Sequence, residues 1–343
     1  MPGGGIKMFR AGLRNMFLIT GTIMGAGYAS GREIWQFFGP GSGLAIILST
    51  ILFIICTSTL LEISYKLETT NYLPVLHQLI GKRISYLYDY MILVYLFCVT
   101  VVMMAGSGAT FETFGLPFWT GIIFIFIMLV IIFARGINEL LNINQLLMPL
   151  LILSLVLILI LFIRDENISL LDKWQNQSNW SAAFPFTSLN ILPLVAVLGA
   201  IGSRIKSKGE IYMSTISSGI ILGTITMLYN KSLVHVANEI ELPSIPLFTI
   251  INNYHSAIML IMMIMLWIAL YTTAAATLLG MVTRINKNDN QPLVKIAMIA
   301  LLLMLPFTGI GFSKLVAIIY PLYGFLNLYL FMKLMVYPIW RKQ

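Results

Sequence analysis

Four glycines lie within the apolar stretch 19–31, where a long apolar run would otherwise form one regular helix: Gly21, Gly25, Gly27 and Gly31. Each glycine costs about 1 kcal/mol relative to alanine in a helix interior, so this density favours local unwinding. Unwound backbone would present free N–H groups and carbonyl oxygens to a ligand, provided that it faces protein or a watery cavity. Glycines four residues apart also allow two helices to pack closely. The glycines alone leave both interpretations open.

An ionisable pair, Arg32 and Glu33, follows these glycines directly. Ionisable groups within membrane spans are usually functional, and an ion pair from here to another helix would form a gate on the external path. The alternative is a solvated pair at a helix end, since exposed ion pairs contribute only about 0–1 kcal/mol. Glu62, Asp89 and Glu112 also lie toward predicted helix ends, and the same two interpretations apply to them.

Catalytic chemistry finds little support in the sequence. His77, His235 and His255 fall in or beside predicted loops, and the sequence has no H-E-x-x-H pair, Walker lysine motif or Cys/His cluster. Cys56 and Cys98 fall within apolar helices, where buried thiols most simply pack. We therefore predict that the protein is not an enzyme and needs no cofactor beyond a possible bound sodium ion.

The elements that hold these residues are membrane helices. The chain is 59% hydrophobic and 10% charged, with a mean hydropathy of +0.90, whereas a soluble domain has about 25% charged residues. Roughly 20 apolar residues cross the ~30 Å hydrocarbon layer as a helix. We predict an all-α membrane protein with about ten transmembrane helices in one domain, 1–343. The predicted spans are 12–37, 42–64, 84–108, 117–134, 140–163, 185–203, 211–234, 256–283, 293–310 and 313–338.

The basic residues predict the orientation, because Lys and Arg collect on the cytoplasmic side. One side of the predicted topology holds few of the 21 basic residues: Arg32, Arg164, Lys173, Lys231 and Lys314. The rest lie on the side of the two termini, so we expect a cell-membrane protein with both termini cytoplasmic. A cleaved secretory signal within 1–31 is the alternative, but it would disrupt this charge alternation. The basic residues are spread over short loops, which argues against nucleic acid as a partner.

The ten spans divide into two sets of five, 11–163 and 183–338, separated by a polar connection. The first span of each half is the irregular one, since the sixth contains Pro185, Asn190, Pro193, Gly199 and Gly202. Interrupted segments at corresponding positions in two halves are typical of inverted-repeat transporters and of their central site. Five spans per half is an odd number, so the halves must insert with opposite orientations.

The stretch GTIMGAGYASGREIWQFF, together with YTTAAATLLG in the eighth span, resembles the YkvI-like bacterial membrane proteins. These belong to the amino acid–polyamine–organocation superfamily and have the LeuT fold. The resemblance implies that the first helix is broken at Gly21–Gly27 and the sixth around Phe186–Asn190. Sodium-coupled relatives have a Gly-x-x-x-Gly-x-Gly arrangement, which Gly21, Gly25 and Gly27 reproduce. This chain has Thr22 and Tyr28 where those proteins place asparagines.

The resemblance places a solute between the first and sixth helices. Half-helix N-termini present free N–H groups and a positive dipole end to an anion such as a carboxylate. We expect the carboxylate of the solute to bind at Gly25, Ala26 and Gly27, beside Thr22. Phe186 and Asn190 would form the facing wall. Tyr95 of the third span is a further candidate, although it could equally be one aromatic packing residue among many.

A cation site between the first and eighth spans is also expected. Sodium-coupled relatives place a backbone carbonyl and two hydroxyls at the positions of Ala269, Thr272 and Thr273, which share one helix face. Carbonyl oxygens of Gly21 and Met24 would complete the shell. Alternatively, both threonines bond back to carbonyls one turn earlier.

These features favour a secondary active transporter of a small amino-acid-like solute that works by alternating access. Coupling to a cation is expected, with sodium favoured over protons. Its partners would be the solute, the cation and the lipid bilayer. The alternative is a sensor of the same fold that binds a solute without moving it, as in the membrane subunits of spore-germinant receptors. A channel or a membrane enzyme has less support.

Overall fold

The computed structural model describes residues 3–135, 138–169, 177–237, 243–286 and 292–340. All regular secondary structure in these ranges is helical. Six of the described helices are long and apolar enough to cross a membrane alone, and one bent pair passes the same test jointly. Large apolar side chains such as Ile123, Leu153 and Leu303 are exposed on the outside of the bundle, as contact with lipid requires. The protein is a multi-pass helical membrane protein, as the sequence predicted.

The first predicted span consists of three helices: α1 (Gly3–Ile23), α2 (Ala26–Ala29) and α3 (Arg32–Phe37). Met24 and Gly25 separate α1 from α2. Gly31 separates α2 from α3 and has φ 79°, in the left-handed region where only glycine is unstrained. The predicted break within Gly21–Gly27 is confirmed, and a second interruption follows one turn later.

The rest of the first half forms four long helices: α4 (Gly43–Lys66), α5 (Leu73–Thr113), α6 (Phe118–Arg135) and α7 (Asn138–Asp165). Their bounds agree with the predicted spans to within a few residues, except for α5. That helix begins eleven residues before the predicted start at 84 and bends at Gly81, whose φ of 76° and ψ of 161° are not helical.

The α-helices described in the second half are α8 (Ala183–Gly199), α9 (Lys208–Ala237), α10 (Pro246–Ile250), α11 (Ser256–Ile285), α12 (Leu293–Thr308), α13 (Phe312–Leu326) and α14 (Leu328–Trp340). The predicted tenth span is therefore two helices, which meet at Asn327. Asn327 is buried, and its amide nitrogen donates to the Ser188 carbonyl oxygen of α8. This bond fixes the junction against the sixth span.

The predicted break in the sixth span around Phe186–Asn190 is wrong. Helix α8 runs without interruption through this segment, and irregular backbone begins only at Ala200. Two polar side chains that could have disrupted the helix donate hydrogen bonds to its own carbonyl oxygens instead. Thr187 Oγ1 donates to the Ala183 carbonyl at 2.7 Å, and Asn190 Nδ2 donates to the Phe186 carbonyl at 2.9 Å.

The helices pack as two groups that meet at the broken first span. In one group, α1 and α4 pack against α8 and α9, and glycines allow close approach: Gly223 of α9 lies directly on Thr50 of α4. In the other group, α5 packs against α6, α11 and α12. Helix α2 contacts α11, whereas α3 contacts α9 and α13. The short helices after the break therefore lie between the two groups.

Candidate solute site

The break after α1 leaves backbone groups without their helical partners. The Gly25 N–H donates to the Ile23 carbonyl at 2.7 Å rather than to Gly21, four residues earlier. The Gly21 carbonyl therefore loses the donor that a continuous helix would supply. Regular bonding resumes in α2, where the Ala29 N–H donates to the Gly25 carbonyl at 2.9 Å. Such unpaired backbone at the centre of a bundle is the arrangement that binds small ions and solutes in inverted-repeat transporters.

Gly27 is in close contact with a tyrosine and a carboxylate. A Cβ atom on Gly27 would lie 2.8 Å from Tyr320 Oη and 3.0 Å from Glu33 Oε2. Only glycine fits here, because any larger residue would displace one of these groups. The side chain of Ala26 lies outside the described part of the chain, although its backbone opens α2. Thr22 Oγ1 donates to the Leu18 carbonyl at 2.7 Å, so its hydroxyl is already bonded to its own helix.

Glu33 does not form the ion-pair gate that its position suggested. Its side chain is only 5% exposed, and Oε1 accepts a hydrogen bond of 3.1 Å from Asn190 Nδ2 of α8. No described Lys, Arg or His nitrogen lies within ion-pair distance of the carboxylate. The adjacent Arg32 is half-buried, and its Nε has no hydrogen-bond partner among the described residues. The prediction of a solvated pair is also wrong for Glu33, because α3 turns this side chain into the bundle.

Three tyrosines are electrostatic neighbours of this carboxylate: Tyr28, Tyr95 and Tyr320. Tyr95 of α5 packs edge-on against Tyr323 of α13, with ring centroids 4.9 Å apart. Tyr95 and Tyr320 are both buried and are electrostatic neighbours of Glu33. The sequence identified Tyr95 but missed the two α13 tyrosines. The signal that could have found them is the YPLYG stretch of the last predicted span, in which the two tyrosines lie on either side of Pro321.

Phe186 and Asn190 lie on one face of α8, beside the first span. Phe186 packs against Phe37 and Phe38, with ring centroids 5.6 and 4.6 Å apart. Both α8 residues also border a cavity of about 20 Å³ next to the break. Its other lining residues include Ile23, Tyr28, Ser49 and Thr226. This volume holds about one water molecule, so this cavity has no room for an amino acid.

The predicted cation ligands are only partly brought together. Thr273 of α11 lies against the break, with its Cγ2 and Oγ1 atoms 3.3 and 3.5 Å from a Cβ position on Gly25. Thr273 Oγ1 makes no hydrogen bond within the described part of the chain. Thr272 Oγ1 instead donates to the Ala269 carbonyl at 3.2 Å, which is the alternative considered for the threonines. Ala269 and Met24 are both buried.

The other acidic residues lie away from this centre. Asp89 of α5 is bound by Arg284 at the end of α11 and by the hydroxyl of Tyr72, which precedes α5. Burial, then the hydrogen bond to Asp89, raises the pKa of Tyr72. Glu62 pairs with Lys66 one turn later at 3.4 Å. These contacts tie helix ends together, whereas Glu112 is exposed.

Two proteins of Bacillus subtilis (strain 168) are similar to this chain over nearly its whole length. The uncharacterized protein YyaD is 44% identical over 335 residues, which cover 98% of this chain and 99% of YyaD. The uncharacterized membrane protein YkvI is 25% identical over 323 residues, which cover 91% of this chain and 92% of YkvI. No protein-family model matches the chain.

Solved structures with a similar fold are membrane proteins of the LeuT type. MhsT in complex with L-phenylalanine superposes with a TM-score of 0.67 at 14% identity, over 94% of this chain and 88% of MhsT. The inward-facing form of Mhp1 gives a TM-score of 0.60 at 12% identity, over 96% of this chain and 77% of Mhp1. The ten-helix inverted repeat predicted from the sequence is consistent with this fold. The chain therefore belongs to the family of YyaD, is similar to YkvI, and is a membrane protein with the LeuT fold.

Proposed function

We propose that the protein is a secondary active transporter of a small amino-acid-like solute and that it works by alternating access. The observation that carries this proposal is the break at Met24 and Gly25, between the two helix groups of a LeuT-fold chain. The N–H groups and carbonyl oxygens freed by the break lie where the two helix groups meet. Movement of one helix group against the other would therefore open the site to either side of the membrane. MhsT, which shares the fold, binds L-phenylalanine.

The solute carboxylate would bind to the backbone N–H groups of Gly25, Ala26 and Gly27. The N–H groups of Ala26 and Gly27 lie at the start of α2, where the positive end of the helix favours an anion. The Gly25 N–H would exchange its bond to the Ile23 carbonyl for one to the solute. Asn190, Phe186 and Tyr95 would form the surrounding wall. The cavity beside the break holds about one water molecule, so binding requires the helix groups to separate first.

Sodium is the favoured coupling ion, bound between the break and α11. The unpaired Gly21 carbonyl and the Thr273 hydroxyl beside Gly25 support this choice. Oxygen atoms of Met24, Ala269 and Thr272 would complete a shell of neutral ligands, which suits a hard monovalent cation. We further propose that the protein lies in the cell membrane with both termini in the cytoplasm, following the distribution of its basic residues.

Uptake by the purified protein in liposomes tests this function. Radiolabelled L-phenylalanine, L-leucine and L-alanine should accumulate inside the vesicles under an inward sodium gradient, and accumulation should stop when the gradient is removed. Empty liposomes provide the control. Saturable binding without accumulation would identify a sensor instead. Equal uptake with and without sodium would remove sodium coupling from the proposal.

A further inference from the structure

We propose that Glu33 binds the positively charged amine of the solute, and that the amine exchanges with a proton at this carboxyl group. The inference rests on the proposed solute site and assigns it a substrate class, solutes with a protonated amine. It also gives a function to the buried acidic side chain next to the broken helix.

The two oxygen atoms of Glu33 have different surroundings. Oε1 accepts the hydrogen bond from Asn190 Nδ2, which orients the carboxyl group. Oε2 accepts no hydrogen bond from any described residue and lies 3.0 Å from the Cβ position of Gly27. The unpaired oxygen is therefore adjacent to the backbone that is proposed to hold the solute carboxylate. In an amino acid the amine and the carboxylate are on the same carbon, so the two subsites match this spacing.

The elements packed around Glu33 supply hydroxyls rather than positive charge. They contribute Tyr28 from α2, Tyr95 from α5 and Tyr320 from α13. Within the described part of the chain, neither Arg32 nor Lys231 of α9 reaches the carboxylate as an ion pair. A carboxylate ion without a cation is strongly disfavoured at this depth. The closed, solute-free site therefore holds Glu33 as the neutral acid.

Arrival of a protonated amine changes this balance. The Glu33 O–H bond breaks and its proton leaves to water, while an ammonium N–H donates to Oε2. No other bond is made or broken, and the charge of the site stays at zero, because the charge of the proton that leaves to water equals that of the ammonium group that arrives. Protons and solute amines thus compete for one oxygen atom. The return of the empty carrier requires the proton again, so each cycle carries one proton opposite to the amine.

Binding to purified protein tests this exchange with three amino acids, L-phenylalanine, L-leucine and L-alanine. Each is compared with its des-amino acid: 3-phenylpropionate, 4-methylpentanoate and propionate. We expect the amino acids to bind at least about tenfold more tightly, as a hydrogen bond to a charged group provides. Below the pH at which the Glu33 carboxyl group titrates, the Kd of an amino acid should rise tenfold for each unit by which the pH is lowered.

Three variants separate a binding role from a structural one. Glu33→Gln keeps the shape of the side chain and the oxygen that faces Asn190. It should weaken amino-acid binding at least about tenfold, and this binding should no longer depend on pH. Its affinity for the des-amino acids should stay as in the wild type. Glu33→Asp should retain the pH dependence. Glu112→Gln, at an exposed carboxylate, is the matched control and should change neither quantity.

The outcomes also distinguish this inference from the proposed function. Amino-acid uptake that persists with equal affinity and equal pH dependence in Glu33→Gln would overturn the inference and leave the transporter in place. Equal binding of amino acids and des-amino acids would also overturn the inference without affecting the proposed transporter. A loss of sodium dependence alone in Glu33→Gln would reassign the carboxylate to sodium. If no amino acid is bound or taken up, the proposed function fails, and the inference fails with it.

Discussion

The first and the sixth span are both rich in helix-disfavouring residues, but only the first unwinds at its centre. In the first span the helix stops at Ile23 and resumes at Ala26. In the sixth, α8 continues past Pro185, Asn190 and Pro193 and ends at Gly199. The difference follows the glycines, since residues 183–198 contain none.

A physical reason underlies this difference between glycine and proline. Pro185 lies in the first turn of α8, where its missing N–H has no helical partner in any case. Pro193 removes one internal bond, and the surrounding helices tolerate this because α8 is buried on most sides. A glycine instead leaves the backbone free to adopt other conformations and contributes no side chain to packing. In these two spans, the cluster of glycines rather than the prolines thus marks where the helix unwinds.

The largest expected effect comes from filling the break. Gly25→Leu would place a side chain where the Cβ already meets Thr273 at 3.3 Å, and it would occupy the proposed solute space. We expect solute binding to fall by at least about 100-fold, equivalent to ~2.7 kcal/mol, with membrane insertion intact. Binding assays on purified protein measure this. Gly309→Leu is the matched control, because its Cβ position has only ordinary contacts of 3.5 Å or more. Unimpaired binding in Gly25→Leu would exclude the break as the site.

Gly202, just beyond the end of α8, tests the role of glycine in the sixth span. An alanine Cβ there would overlap the Ser64 carbonyl oxygen and lie 2.5 Å from Thr69 Oγ1. Backbone cannot move aside freely, so Gly202→Ala should destabilise the protein by about 1–3 kcal/mol. Thermal unfolding in detergent, compared with Gly309→Ala, gives the measurement. An unchanged unfolding temperature would mean that the Ser64 backbone moves aside at little cost.

Two neighbouring threonines sharpen the description of the broken span as an ion site. Thr273 faces Gly25 with an unpaired hydroxyl, whereas Thr272 is already bonded to Ala269. Thr273→Ala should raise the sodium concentration for half-maximal uptake about tenfold, or ~1.4 kcal/mol. Thr272→Ala should raise this sodium concentration less than Thr273→Ala does. Sodium-dependent uptake that is undiminished in the double variant would refute the site.

The smallest effect is expected from the sixth span itself. Pro193→Ala restores one helical hydrogen bond in a helix that is already continuous. Uptake should stay within about twofold of the wild type, or ~0.4 kcal/mol. Initial uptake rates in liposomes provide the comparison. A large loss of rate would show that the proline acts as a hinge, and the contrast between the two spans would then need revision.

The sequence by itself determined the features that depend on local chemistry. Long apolar runs specify membrane helices whatever surrounds them, because a helix satisfies its backbone hydrogen bonds within a single segment in lipid. The break at Gly25 was predictable for the same reason, since glycine weakens a helix at its own position. The order of the spans was also visible in the chain.

The tertiary structure alone decided where the side chains of the site lie. Glu33 was expected at the outer end of a helix, but a second interruption at Gly31 turns α3 so that this carboxylate meets Asn190, 157 residues later in the chain. Tyr320 reaches Gly27 from the last part of the protein. No pattern within a single helix encodes such meetings, because they depend on how helices distant in sequence pack against each other. The continuity of α8 was likewise decided by packing, which stabilised a helix that its prolines and polar residues would disfavour in isolation.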